Sequence, residues 1–125
     1  MTCVSHISPL ILIVEDEALT RLSGTGIFSD AGFRLMEAAN SDEALEFLEA
    51  ESDVRLLFTD VNMPGTMDGL ALARPVSNRW PHIGIMVVSG RSKPQPHELP
   101  AGCRFHRKPY SPDTVVRHAR ELTAA

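Results

Sequence analysis

Cysteine is scarce in this chain, and the two present, Cys3 and Cys103, lack the short spacing of metal ligands. That pattern points to reduced thiols in a cytoplasmic protein rather than to a disulfide scaffold. No apolar run approaches the about 20 residues that a membrane span needs. No Lys or Arg precedes Arg21, so residues 1–9 lack the charged start of a secretory signal. Residues 1–8 read as a short N-terminal tail. Basic charge is not in excess either: the net charge is −4 and the pI about 5.7, which argues against a direct nucleic-acid footprint. Repeats, low-complexity tracts and interdomain linkers are absent. What remains is a chain of 125 residues, 43% apolar, long enough to bury one core without staples.

Short apolar runs alternate with helix-like segments, the pattern of an α/β protein whose parallel sheet is covered by helices. Strands are expected near Leu10–Val14, Phe33–Glu37, Arg55–Thr59, Gly84–Val88 and Cys103–Arg107. The first helix should run from about Glu17 to Ala31 and stop at Gly32, although Gly24 and Gly26 each cost about 1 kcal/mol against Ala. A second helix follows Asn40, with Glu43 as capping-box partner and Ala44, Leu45 and Leu48 inward. A third, about Leu70–Arg79, contains Pro75, which should kink or shorten it. Ser92–Gly102 holds Pro94, Pro96 and Pro100 and should be irregular or mobile. The last helix is capped by Ser111 with Pro112 at its first position, and Val115, Val116, Ala119 and Leu122 form its apolar stripe.

Chemistry gathers at the carboxyl ends of these strands, where open α/β sheets place their ligands. The first strand runs into Glu15-Asp16-Glu17, the third ends in Asp60, the fourth in Ser89-Gly90-Arg91 and the fifth in Lys108-Pro109. Glu17 alone is a helix N-terminal acid that suits the dipole. Glu15, Asp16 and Asp60 should converge if the first and third strands are neighbours. Two unit charges about 4 Å apart repel by roughly 4 kcal/mol at an effective dielectric near 20, so the cluster calls for a cation. Oxygen donors without Cys or His favour Mg²⁺ or another hard divalent ion. With a lysine beside it, Asp60 is equipped to take a phosphoryl group as a covalent nucleophile. Lys108 supplies a compact positive charge, and the Ser89 hydroxyl can donate to a phosphoryl oxygen.

Glu15-Asp16, the Asp-x-x-Met-Pro run from Asp60 to Pro64, Asp68-Gly69, Ser89-Gly90 and Lys108-Pro109, in this order, resemble the receiver domain of two-component response regulators, over about residues 9–123. The resemblance implies a doubly wound five-stranded parallel sheet in order 2-1-3-4-5, the flavodoxin- and CheY-like (βα)5 fold, with residues 9–125 as the receiver. It implies that Asp60 accepts a phosphoryl group from a sensor histidine kinase or histidine phosphotransfer protein. By the same resemblance Asp16 and Asp60 ligate Mg²⁺ directly, Glu15 acts largely through water, and Asn62 offers its backbone carbonyl. Ser89 and Lys108 bind the phosphoryl oxygens, Phe105 swings inward as the hydroxyl moves, and the Lys108-Pro109 bond is cis. Read from the residues alone, Phe105 is more simply a core side chain.

The chain departs from the family pattern in four places. Gly65-Thr66-Met67 lengthens the loop before Asp68-Gly69 by one residue, Pro75 sits inside the third helix, prolines occupy the fourth-helix segment, and Arg91 stands where the family tunes hydrolysis together with Asn62. No output segment follows Ala125, so the expectation is a stand-alone cytoplasmic signalling protein, not an enzyme. It would regulate a downstream protein by contact, with no direct nucleic-acid or membrane partner. Three alternatives stand beside it. A haloacid-dehalogenase-type phosphatase would want an acid where Asn62 stands. A flavodoxin-like module would want a Ser-, Thr- and Gly-rich loop where Glu15-Asp16-Glu17 would repel phosphate. A receiver-like module could also signal without phosphate.

Overall fold

Leu10–Val14 forms β1, and all five of its residues are buried. A continuous apolar run needs cover on both faces, and β1 has it because it lies second in the sheet. The computed structural model describes residues 8–124 apart from Pro64, Thr66 and Ser92. The first seven residues, with Cys3, and Pro64 of the Asp-x-x-Met-Pro run lie outside the described residues. Parallel strands β2 (Arg34–Ala38), β3 (Val54–Asp60), β4 (Gly84–Ser89) and β5 (Arg104–Arg107) complete one sheet in the order β2-β1-β3-β4-β5.

Strand residues alternate between faces, and each face has its own core. Leu10, Leu12 and Val14 pack with Ala44 and Leu48 of α2 (Ser41–Ala50) and with Leu72 and Val76 of α3 (Gly69–Arg79). Ile11 and Ile13 face the other way, against Phe28 of α1 (Ala18–Asp30) and Val115 and Ala119 of α4 (Pro112–Thr123). Phe28 meets Phe58 edge-on at 5.0 Å between centroids. Gly24 belongs to this face: a Cβ there would stand 3.9 Å from the Phe58 ring, an ordinary packing distance.

Helix ends follow the expected chemistry. The Asn40 side chain accepts from the Glu43 N–H at 2.8 Å, and Glu43 in turn accepts from the Ala39 N–H. Asp68 caps α3 through the Ala71 N–H, and Ser111 caps α4 through the Thr114 N–H. After α1 the chain reverses through Gly32 at φ +92°, a region that favours glycine. The helix α3 continues four residues beyond Pro75, so the proline does not end it.

The proline-rich segment before β5 is irregular, as its composition predicts. Between β4 and β5 the described residues form only a 3-10 turn, Pro96–Glu98, and four α-helices are found among the described residues. Pro94, Pro96 and Pro100 remove helical donors and bias the residues before them away from helix. Leu99 still packs on the core from this segment. On the other side of β5, His106 meets His118 of α4 with ring nitrogens 3.0 Å apart, beside the 2.7 Å Arg104–Glu121 ion pair.

Candidate functional site

The strand ladders run one residue past the strands, and this fixes the site. The Glu15 N–H donates to the Ala38 carbonyl, the Val61 N–H to Val88, and the Lys108 N–H to Ser89, at 2.9–3.0 Å. Glu15 and Lys108 are thus the first residues beyond β1 and β5, held by the sheet although they open loops. Asp60 is the last residue of β3. The Lys108-Pro109 peptide is cis.

These three side chains meet. The Lys108 Nζ lies 2.8 Å from Asp60 Oδ2 and 3.4 Å from Glu15 Oε1. The second Asp60 oxygen, Oδ1, accepts from the Asn62 N–H at 3.0 Å. Glu15 Oε2 accepts from the Glu17 N–H at 3.0 Å. Glu15 and Asp60 are buried, at 6% and 8% exposure. Asp16, the neighbouring acid, is exposed on the loop. Among the described residues no three His, Cys, Asp or Glu side chains are drawn together as a metal site.

Electrostatics separates the two buried acids. Burial, together with hydrogen bonding to Asp60, pushes the Glu15 carboxyl up to about 7. For Asp60 burial works upward too, but hydrogen bonds from Glu15, Lys108 and the Asn62 N–H outweigh it and hold its pKa below the ordinary value. The Lys108 ammonium is lowered by burial and raised more strongly by Asp60 and Glu15, so it stays charged. Two carboxyls facing one ammonium are one positive charge short, and Glu15 is the one of the two whose proton is held more tightly. That deficit, the all-oxygen donors and the exposed Asp16 alongside suit a hard cation.

Ser89 ends β4, fully buried, with its hydroxyl accepting from the Arg91 N–H at 3.2 Å. Phe105 lies on β5 opposite Val87, half-buried and packed on the α2–α3 core together with Leu99 and Cys103. It is a core side chain at the rim of the fold. Cys103 is a free thiol, pushed up to about 11 by burial.

Two features escape sequence reasoning. Gly69 belongs to a motif whose physical reason appears only here. A Cβ at Gly69 would lie 1.9 Å from the Asp60 carbonyl oxygen, so α3 begins in direct backbone contact with the Asp60 peptide. The second is Arg21. Its Nη1 donates to the Glu15 carbonyl at 2.7 Å and its Nε to Glu37 Oε1 at 3.0 Å. The hint available was a lone cation one turn into a helix that follows three acids.

Residues 11–117 match the family model of the response regulator receiver domain. The chain is 33% identical over 118 residues to the aerobic respiration control protein ArcA of Escherichia coli K12, covering 92% of this chain and 48% of that protein. It is 34% identical over 119 residues to the sensor kinase CckA of Brucella abortus, covering 92% of this chain and 12% of that one. It therefore spans about half of the first relative and about an eighth of the second. Its fold is similar to the crystal structure of a response regulator receiver protein from Sinorhizobium medicae WSM419. The TM-score is 0.87 at 23% identity, over 94% of this chain and 96% of that one.

Proposed function

From the premise that this chain belongs to the response regulator receiver domain family, we propose that Asp60 is the phosphoacceptor of a two-component phosphorelay. The observation that carries this is the 2.8 Å approach of the Lys108 ammonium to Asp60 Oδ2. A buried carboxylate kept ionised, with a cation fixed beside it, is a nucleophile facing an electrophile-stabilising charge.

The donor is a phosphohistidine on a sensor kinase or phosphotransfer protein. An Asp60 carboxylate oxygen attacks phosphorus, the P–N bond breaks as the O–P bond forms, and the leaving imidazole takes up a proton. Lys108 offsets charge on the phosphoryl oxygens, and the Ser89 hydroxyl, at the adjoining strand end, donates to one of them once it turns from the Arg91 N–H. Glu15, Asp16, Asp60 and the Asn62 carbonyl would hold Mg²⁺, which when bound would supply the positive charge that two carboxyls facing one ammonium lack. Phosphorylation draws Lys108 and Ser89 toward the new oxygens, and Phe105 on β5 repacks with them. The product is an altered β4–β5 surface for a downstream protein. The receiver unit occupies residues 9–125, after the tail at 1–8, as a cytoplasmic signalling module that supports its own phosphotransfer and dephosphorylation.

Two leucines of α1 beside the acidic loop, Leu19 and Leu22, are 78% and 65% exposed. They offer an apolar contact for the phosphodonor protein. Among the described residues no helix is long and apolar enough to cross a membrane.

Acetyl phosphate with Mg²⁺ should add about 80 Da to the intact mass, the increment of one covalent phosphate. Asp60→Asn should abolish it. Labelling that persists in Asp60→Asn, or that never occurs in the metal-loaded wild type, would overturn this reading in favour of a phosphate-independent module.

A further inference from the structure

The loop after β1 carries Glu15, Asp16 and Glu17 in succession, and its path decides where Asp16 points. Three bonds set that path. The Glu15 N–H is held by Ala38 of β2, and Glu15 Oε2 by the Glu17 N–H. The third is the Glu15 carbonyl, half of the Glu15–Asp16 peptide, and it accepts from Arg21 Nη1 at 2.7 Å.

Arg21 is itself fixed twice more. Its backbone N–H donates to the Glu17 carbonyl at 2.9 Å in the first turn of α1. Its Nε donates to Glu37 Oε1 at 3.0 Å. Glu37 lies in β2 opposite Ile13, so the guanidinium joins the acidic loop, α1 and β2. Its side chain is only 22% exposed. A planar group with several donors can serve a carbonyl and a carboxylate at once, which a lysine ammonium on a flexible stem cannot do in the same geometry.

We infer that Arg21 is a positioning residue for the cation site: by clamping the Glu15 carbonyl against Glu37 it fixes the Glu15–Asp16 peptide, and with it the path of the loop that carries both acids. This rests on the phosphoacceptor reading above. Arg21 touches neither the phosphoryl group nor the metal. It acts on the loop that carries two of the ligands, and residues that orient ligands in this way commonly contribute about 10–100-fold to metal affinity.

The test is Mg²⁺ binding by isothermal titration, with acetyl phosphate labelling against Mg²⁺ concentration alongside. Arg21→Met should raise the Mg²⁺ dissociation constant by about tenfold, while saturating Mg²⁺ restores the wild-type extent of labelling. Arg21→Lys should recover part of the affinity, and Glu37→Gln, a change at a half-exposed surface acid, should weaken Mg²⁺ in the same direction. If Arg21→Met fails to fold, Glu37→Gln alone decides. A lowered melting temperature with Mg²⁺ affinity unchanged in both variants would overturn the inference and leave Arg21 as a helix anchor. A wild type that binds Mg²⁺ but is never labelled would instead sink the phosphoacceptor reading and leave the clamp standing.

Discussion

Lys108 and Asp60, 48 residues apart in the chain, form a 2.8 Å ion pair at the carboxyl ends of β5 and β3. Two strands that are not neighbours in the sheet are thereby tied across β4, at the point where Ser89 ends it. One ammonium serves two buried carboxyls there, and the predictions below turn on that imbalance.

Lys108→Ala removes the cation and leaves Asp60 with the Asn62 N–H and the Glu15 carboxyl. The Asp60 pKa should rise, and the fold should lose about 1–3 kcal/mol at neutral pH, as for a buried acceptor deprived of its donor. Urea titration measures the loss. Protein phosphorylated on Asp60 in this background should show little change in its amide NMR spectrum, because the β5 end is no longer drawn to the phosphoryl group. A full wild-type shift would remove Lys108 from the switch.

Glu15 makes stability fall with rising pH. Its carboxyl goes from an ordinary 4.5 to about 7 in the folded protein, so between those values the folded state keeps a proton that the unfolded chain releases, and folding weakens as pH rises through the window. Metal-free Glu15→Gln should lose this slope and melt higher than wild type at pH 8. His106 acts in the opposite sense. Burial, His118 and Arg104 lower its pKa below 6.5, so it costs stability as pH falls through and below that value, where Arg104, Arg117 and Glu121 are the charges around the pair. Melting curves of Glu15→Gln and His106→Gln from pH 4.5 to 8 separate the two contributions. Parallel curves for Glu15→Gln and wild type would refute the assignment to Glu15.

Gly69→Ala tests the contact that no sequence pattern explains. The added methyl would lie 1.9 Å from the Asp60 carbonyl oxygen, so α3 or the end of β3 must shift. Overpacking of this kind costs about 1–3 kcal/mol, read by denaturant unfolding. The extent of acetyl phosphate labelling should fall as well, because Asp60 moves with its peptide. Gly26→Ala, with no atom within 4 Å of the new Cβ, is the control and should be neutral or slightly stabilising.

Much of the site was legible because buried parallel strands are written as apolar runs, so the polar residue that ends each run stands out. Glu15, Asp60, Ser89 and Lys108 each stand at such an end, and the meeting of Glu15, Asp60 and Lys108 follows from the strand order. Asp16 was grouped with them by adjacency, yet the loop turns it outward while Glu15 goes in: consecutive residues beyond a strand end point apart. Arg21 was invisible because its partner Glu37 is 16 residues away on another element, and no local spacing encodes such a pair. The apolar pattern placed α1 within a residue of its observed ends despite Gly24 and Gly26. Propensity judged the proline-rich segment correctly, since a missing donor is a covalent fact that packing cannot supply.

The 3-10 turn between β4 and β5 has a further consequence. A full helix there would have to break its own ladder of main-chain bonds before changing shape, whereas among the described residues this strap is held by turn bonds: Glu98 to Gln95 and Gln95 back to the Glu98 carboxylate, Leu99 to Pro96, Cys103 to Pro100, and Arg74 reaching the His97 carbonyl. Local opening free energies scale with what must be undone. The flank next to Phe105 therefore has fewer main-chain bonds to undo than a helix would when a partner surface meets it.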